Sequence, residues 1–285
     1  MKRRDLVTRL ALTCLASPFT QNSWAASTTA WADIEHEAAG RLGVAVLDTG
    51  TGRVEGHRLD ERFPMCSTFK WLAAALVLRR VDLGQDSLQR RIRFGRDVLV
   101  SHSPVVETRL ADGMTLAELC EATVTVSDNA AANLILDTFG GPPAITRFAR
   151  TLGDTMTRLD RTEPALNEAR PGDPRDTTTP RAMATALRAA TLGNALSAPG
   201  RAQLVQWLVA TRTGAERLRR HVPQDWQAGD KTGTGARGTT NDVAVFWPPK
   251  RAPIVVAAYL TETDAAPERR NAALAEVGRR VVRRV

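Results

Sequence analysis

The sequence predicts a mixed fold, α/β plus all-α, in which an antiparallel five-stranded sheet flanked by helices is interrupted by an inserted helical domain. Strand patterns stand near the two ends of the chain, whereas the middle, from residue 67 to about residue 207, carries almost entirely helical periodicity. Such an order indicates one sheet built from both ends of the chain. The five predicted strands are 41–48, 53–59, 226–235, 240–249 and 252–262.

The first element, residues 1–25, is predicted to be an export signal. It has a basic start, a short apolar stretch at 10–17 and small residues that make Ser23-x-Ala25 a suitable cleavage site. The apolar stretch is too short to span a bilayer. The Arg3–Arg4 pair also fits a twin-arginine signal, so two export routes stay open.

The α/β domain is expected to be discontinuous and to comprise residues 26–60 and 212–285. It begins with helical spacing at 31–40, a turn signal at 49–52 joins its first two strands, and a helical pattern at 266–285 closes it.

Residues 61–211 are expected to form the helical domain. Its helical patterns begin at Ser67 and include 115–141, 142–153, 181–193 and 197–214. A helix-free interval at 159–180 carries four prolines and many charges, and we expect an Ω-type loop at about 159–177. Loops of this length in compact domains are commonly functional.

The composition excludes several classes of function. The formal net charge is +8, but part of it lies in the predicted signal, and the other arginines are scattered without interleaved aromatics. We therefore expect no nucleic-acid partner. The four histidines lie far apart in sequence and lack metal-ligand spacing, so no metal site is expected.

Ser67 and Lys70 stand three residues apart at the start of a helical run, and thus on one face. A lysine with a lowered pKa can remove the proton of a serine and make it a nucleophile. Only four of the 39 basic residues are lysines, which favours a chemical role for Lys70. The alternative is that Ser67 is only the N-cap of a buried helix.

Three further groups of polar residues could complete such a site. The triplet Ser-Asp-Asn at 127–129 lies between apolar segments, and Lys-Thr-Gly-Thr-Gly at 231–235 lies in a strand pattern. Glu163 and Asn167, in the long loop, are a carboxylate and an amide suited to holding one water.

With these motifs in this order, residues 30–285 resemble the class A serine β-lactamases. The resemblance implies a two-domain fold with the active site in the cleft between the domains. It further implies small-molecule β-lactam substrates and no cofactor or metal. The protein is expected to be a monomer without stable membrane insertion, located in the periplasm or secreted.

The resemblance also implies a role for each motif residue. The residues implied for the chemistry are Ser67 as acylated nucleophile, Lys70 in its deprotonation, Ser127 as proton relay to the lactam nitrogen and Glu163 as activator of the hydrolytic water. Those implied for substrate binding are Asn129, Asn167, Lys231, Thr232, Gly233, Thr234 and Arg217. The backbone amides of Ser67 and Thr234 would form the oxyanion hole. Whether Lys70 acts alone or through Glu163 and a water stays open.

Other matched positions are expected to support the site or to be neutral. The residues expected as structural supports are Asp128, Asn133, Arg161 and Asp176. The Glu163–Pro164 bond resembles one that is cis in the family. His102 is either a residue at the mouth of the cleft or simply exposed on a loop.

Both cysteines outside the signal are predicted to be free thiols. Carbapenem-hydrolysing relatives pair a cysteine at the position of Cys66 with another where this chain has Gly235. Cys120 likewise resembles half of a family disulfide whose partner position is Ala74 here. Loss of the first disulfide argues against strong carbapenem hydrolysis.

Two alternatives share the serine and lysine motifs. A D,D-peptidase would be acylated without rapid release, but Glu163 is the water-activating carboxylate that such an enzyme lacks. A β-lactam sensor would need a membrane link, and the sequence shows no spanning segment.

Overall fold

The computed structural model describes the backbone of residues 23–284 and the side chains of residues 31–284. In chain order its strands are β1 (Arg41–Asp48), β2 (Val54–His57), β3 (Phe63–Pro64), β4 (Arg91–Ile92), β5 (Met114–Thr115), β6 (Thr177–Thr178), β7 (Gln227–Thr234), β8 (Thr240–Trp247) and β9 (Ile254–Thr261). Five of them form an antiparallel sheet in the order β2-β1-β9-β8-β7, and the short strands pair as β3-β6 and β4-β5. The expected five-stranded antiparallel sheet is confirmed.

The large sheet is buried on both faces. Successive side chains of a strand face opposite sides. On the central strand β9, Val256 and Ala258 belong to the apolar cluster on one side, whereas Val255 and Ala257 belong to the cluster on the other. This explains why the strand reads as an apolar run rather than as an alternation of apolar and polar residues.

Helices cover both faces of the sheet. In chain order they are α1 (Ser23–Ala38), α2 (Lys70–Asp82), α3 (Leu116–Thr125), α4 (Asn129–Asp137), α5 (Pro142–Thr151), α6 (Pro180–Thr191), α7 (Ala198–Val209) and α8 (Pro267–Arg283). Helices α1 and α8 pack together on one face, where Trp31, Leu274 and Val277 are buried. The other face meets α6, and the remaining helices continue the core from there.

Helix α2 lies at the centre of the helical region. It packs against α3, α4, α5 and α7, and every residue from Lys70 to Ala75 is buried. A helix surrounded by protein on all sides has an apolar sequence all round. The burial of Lys70 at its first residue is therefore an exception that calls for partners.

The structure corrects two details of the predicted elements. The helical pattern at 115–141 is broken between α3 and α4, where Asp128 caps α4 by accepting a hydrogen bond from the Ala131 amide at 2.9 Å. The interval expected to lack helix contains one 3₁₀ turn, Ala165–Asn167. Of the predicted export signal, residues 1–22 lie outside the described part of the chain.

Candidate active site

Ser67 lies in a 3₁₀ turn, Cys66–Phe69, that leads into α2. Its hydroxyl does not cap the helix, so the alternative that Ser67 is only an N-cap is wrong. Instead, its Oγ donates a hydrogen bond to Oε1 of Glu163 at 3.1 Å. The preceding residue, Cys66, has φ +45°, a conformation that costs free energy for a residue with a Cβ and that is frequent at functional sites.

Lys70 is fully buried and surrounded by oxygen atoms. Its Nζ lies 3.0 Å from Oε1 of Glu163 and donates to the Ser127 carbonyl at 2.7 Å and to Oδ1 of Asn129 at 2.5 Å. Burial lowers the pKa of Lys70, while the nearby carboxylate opposes that shift. The amine of Lys70 is thus in direct contact with the carboxylate oxygen of Glu163 that accepts the hydrogen bond from Ser67.

Glu163 is held at both its backbone and its carboxylate. Its amide donates to Oδ1 of Asn133 and its carbonyl accepts from Nδ2 of the same residue, each at 2.9 Å. Nδ2 of Asn167 donates to Oε2 at 2.5 Å. The Glu163–Pro164 peptide bond is cis, as expected. These contacts fix the carboxylate so that Oε1 faces Ser67.

Ser127 brings a hydroxyl between two ammonium groups. Lys70 donates to its Oγ at 3.2 Å and Lys231 donates to it at 3.1 Å. Ser127 has φ +62°, which breaks the helical path between α3 and α4. The carboxylate of Asp128 accepts from the amides of Val105 and Val106, at 2.8 and 3.1 Å, and so ties this break to the neighbouring loop.

Asn129 connects Lys70 to the loop that contains Ser101. While its Oδ1 accepts from Lys70, its Nδ2 donates to the carbonyl of Ser101 at 2.7 Å. Next to it, His102 has φ +61° and its Nε2 lies 3.0 Å from the carbonyl oxygen of Val126. His102 is exposed at this edge of the site.

Strand β7 forms the other side of the site. Lys231 is fully buried, and burial together with the charge of Lys70 lowers its pKa to about 7. A Cβ at Gly233 would lie 2.8 Å from the carbonyl oxygen of Met65, so only glycine lets the strand pack against the serine turn. Thr232 and Thr234 flank this glycine, and the Oγ1 of Thr232 lies 2.6 Å from that of Thr213.

Arg217 reaches the same strand from a neighbouring loop. Its guanidinium donates to the Gly233 carbonyl at 2.9 Å, to the Asn241 carbonyl at 2.8 Å and to Oγ1 of Thr234 at 2.8 Å. Burial lowers its pKa, but an arginine stays charged at any physiological pH. The guanidinium therefore adds a fixed positive charge beside Thr234.

The long loop is closed by an ion pair at its base. Arg161 Nε donates to Oδ2 of Asp176 at 2.6 Å, and Oδ1 of the same carboxylate accepts from the amides of Asp160 and Arg161. Arg161 also binds Glu168 inside the loop at 2.7 Å. The predicted pairing of Arg161 with Asp176 is thus present, and it holds the segment that carries Glu163.

Replacement of Asp176 by alanine is expected to lower the free energy of unfolding by about 2–3 kcal/mol, because it leaves two backbone amides without an acceptor and removes one of the two carboxylates that pair with Arg161. Urea denaturation measures this change. Asp173→Ala is the matched control, since that carboxylate pairs with Arg175 at the surface of the same loop and its loss should change stability little. Equal effects of the two variants would contradict the role of Asp176.

Cys66 and Cys120 are both buried and free, as predicted. Burial raises the pKa of each thiol, so both stay protonated. A Cβ at Gly235 would lie 2.6 Å from Sγ of Cys66, which shows how close the strand passes to the serine turn. Among the residues with described side chains, no three His, Cys, Asp or Glu residues group to hold a metal ion.

Two residues that position the site were not predicted from the sequence. Nδ2 of Asn241, on β8, donates to the carbonyls of Pro64 and Met65 at 2.9 and 3.1 Å and so anchors the serine turn to the sheet. Oγ1 of Thr213 lies 2.6 Å from Oγ1 of Thr232 and so connects β7 to the segment that follows α7. Neither residue belongs to a motif with recognisable spacing, so no sequence signal identified them.

The family model of the β-lactamase enzyme family matches residues 26–285. β-Lactamase AST-1 of Nocardia asteroides is 52% identical over 252 residues, which cover 88% of this chain and 81% of that protein. The chain belongs to the β-lactamase enzyme family. Within it, a carbapenem-hydrolysing β-lactamase KPC of Klebsiella oxytoca is 47% identical over 273 residues, 94% of this chain and 93% of that protein.

Solved structures place the chain in class A of the β-lactamase family. An ancestral class A β-lactamase is 61% identical and superimposes with a TM-score of 0.89, covering 90% of this chain and 99% of that one. The protein is therefore a class A serine β-lactamase, and the fold class, family and enzyme class expected from the sequence are confirmed. Among the described residues, no helix is long and apolar enough to cross a membrane.

Proposed function

We propose that Ser67 is the nucleophile with which this β-lactamase opens the lactam ring, and that Glu163 then activates the water that releases the product. The observation that carries this proposal is the shared oxygen Oε1 of Glu163, which accepts from Ser67 and lies 3.0 Å from Lys70. The proton of Ser67 can thus pass to Glu163 or to Lys70, which are in contact with each other.

In the acylation step, Oγ of Ser67 attacks the lactam carbonyl carbon and its proton passes to the pair formed by Lys70 and Glu163. The developing oxyanion is bound by the backbone amides of Ser67 and Thr234. One such donor contributes about 3 kcal/mol to transition-state stabilisation in other acyl-transfer enzymes.

The leaving nitrogen takes its proton from Ser127. Because Lys70 and Lys231 both donate to Oγ of Ser127, that oxygen acts as acceptor towards the lysines and its own proton is free to be donated. The carbon–nitrogen bond breaks as this proton arrives, and Lys70 restores a proton to Ser127, namely the one that the pair of Lys70 and Glu163 took from Ser67. This arrangement makes Ser127 the relay between the two amines and the substrate.

In the deacylation step, water attacks the ester carbonyl while Glu163 removes its proton. The amide of Asn167 donates to Oε2 of Glu163, and its Oδ1 is buried without a hydrogen-bond partner among the described residues. A buried oxygen of this kind can accept a hydrogen bond from the water. The proton then returns to Oγ of Ser67 as the product acid is released.

We assign binding of the substrate carboxylate to Lys231, Thr232 and Thr234, which belong to β7, and to Arg217, which contacts this strand. Asn129 would bind the side-chain amide of the substrate, and Gly233 lets the substrate backbone lie close to the strand. Asp128, Asn133, Arg161 and Asp176 hold the loops that carry these groups.

The direct test is to mix the purified protein with a chromogenic cephalosporin and to follow colour and intact mass together. Many turnovers per protein molecule, with at most a transient adduct, are expected. A single stoichiometric burst with a long-lived adduct would indicate the slow deacylation typical of a D,D-peptidase and would remove the role of Glu163.

Lys231 makes substrate binding pH-dependent. Its pKa of about 7 lies far below the ordinary value of 10.5, so the ammonium is present below pH 7 and is lost as the pH rises. We expect kcat/KM for a carboxylate-bearing substrate to fall above about pH 7, because kcat/KM reports the ionisation of the free enzyme.

A pH profile of kcat/KM from pH 5 to 9 measures this effect. The matched variant is Lys231→Arg, whose side chain stays charged over that range and should flatten the profile above pH 7. A wild-type profile that stays level up to pH 9 would contradict the assignment of the carboxylate to Lys231.

We further propose that the protein is exported to the periplasm or the medium and acts there as a monomer. The basic start of the sequence, followed by a short apolar stretch, supports export. The mass of the exported protein should show cleavage near Ala25, and light scattering should give the mass of one chain.

A further inference from the structure

A second cavity lies at the opposite end of α2 from the active site. It is open to solvent on one side, has a volume of about 590 Å³ and is lined by the last turns of α2, by α5 and by the segments that follow α4 and α6. Arg79, which lines it, is nine residues after Lys70, which corresponds to about 14 Å along the helix. Ligand-binding cavities in proteins commonly have volumes of 300–1,000 Å³.

One wall of the cavity is apolar. The side chains of Leu76, Phe139 and Phe148 contribute to it, and Leu83 stands at its edge. Leu83 is 52% exposed and is the one large apolar side chain classed as exposed among the described residues. Its exposure costs free energy that a ligand with an apolar chain would recover.

All the charged residues of the lining are positive. Arg79, Arg80 and Arg147 all line the cavity, and no aspartate or glutamate does. Arg79 and Arg147 are exposed, and neither guanidinium has a hydrogen bond or ion pair with another described residue. Nε of Arg80 is buried without a hydrogen bond, and its nearest carboxylate oxygen, on Asp86, is 3.6 Å away.

We propose that this cavity is a binding site for a single-chain anionic amphiphile of the fatty-acid class. Its carboxylate would bind at Arg79 and Arg147, and its chain would lie along Leu76, Leu83 and Phe148. A small inorganic anion would leave the apolar wall uncovered, and a neutral lipid would leave the arginines without a counter-charge. An anionic amphiphile covers the apolar wall and also supplies a counter-charge to the arginines.

Isothermal titration of the full chain with dodecanoate, below its micelle concentration, tests this proposal. We expect saturable binding of one molecule per chain, weakened by added salt because the charged groups are near the surface. The double variant Arg79→Glu, Arg147→Glu should lose about tenfold or more in affinity, and Leu83→Ser should also bind more weakly.

Arg93→Glu is the matched control, because Arg93 is equally exposed and does not line the cavity. It should bind dodecanoate like the wild type. Chromogenic cephalosporin hydrolysis by all variants confirms that they are folded. Equal affinity in the double variant, equally tight binding of phosphate or of a neutral maltoside detergent, or binding only to phosphatidylglycerol vesicles would each overturn the proposal.

Discussion

Replacement of Glu163 by alanine is expected to stop the enzyme at the acylated Ser67. Lys70 remains beside Ser67 and Ser127 in this variant, so acylation continues, but the water loses its base. Removal of a general base typically lowers the rate of its step by about 10²–10⁴-fold. Intact mass spectrometry should therefore show a stable adduct, while the hydrolysis rate falls by that factor.

Glu168→Ala is the matched control for Glu163→Ala. Glu168 is a carboxylate in the same loop, but it is only partly buried and pairs with Arg161 and Arg170 rather than with the catalytic groups. Its replacement should leave turnover within a few-fold of the wild type and produce no adduct. Rapid turnover by Glu163→Ala would remove the assignment of Glu163.

Replacement of Ser67 by alanine is expected to abolish the covalent adduct and to reduce turnover by about 10⁴-fold or more. Loss of the nucleophile removes the acyl-enzyme route altogether, leaving only the effects of binding and of the oxyanion hole. Intact mass after incubation with a penicillin and the initial rate of cephalosporin hydrolysis measure the two effects.

Ser103→Ala controls for the general effect of removing a buried serine. Ser103 is 7% exposed, and its hydroxyl donates to the carbonyl of Val100 rather than to any catalytic group. This variant should still form the adduct and turn over. An adduct on Ser67→Ala would show that another group, such as Ser127, is acylated.

The sheet and most of the helices could be predicted because each is encoded locally. Apolar periodicity gave the five strands to within a few residues, and the turn signal at 49–52 matched the β1–β2 hairpin. The break at Ser127 was not predictable. Its φ of +62° is imposed by packing, because Asp128 reaches amides of a loop more than 20 residues away.

The candidate site was predictable where its residues form motifs and unpredictable where they act through tertiary contacts. Ser67, Lys70 and Glu163 stand out by residue type and spacing, and the structure brings them together. Asn241 and Thr213 do not, because each acts on a partner that only the folded chain places nearby. Their contribution comes from long-range hydrogen bonds, which no local pattern encodes.

The pairing of β1 with β9 makes the assembly of the active site depend on the last strand of the chain. These strands pair along their whole length, from Arg41 opposite Thr261 to Asp48 opposite Ile254, although the helical region and β7–β8 separate them in sequence. Until β9 has been made, β1 can pair only with β2, and an isolated hairpin is marginally stable at best. Contacts between such distant segments also form slowly. Because β7 joins β1 only through β8 and β9, we expect a chain that ends before Ile254 to lack a complete hydrolytic site.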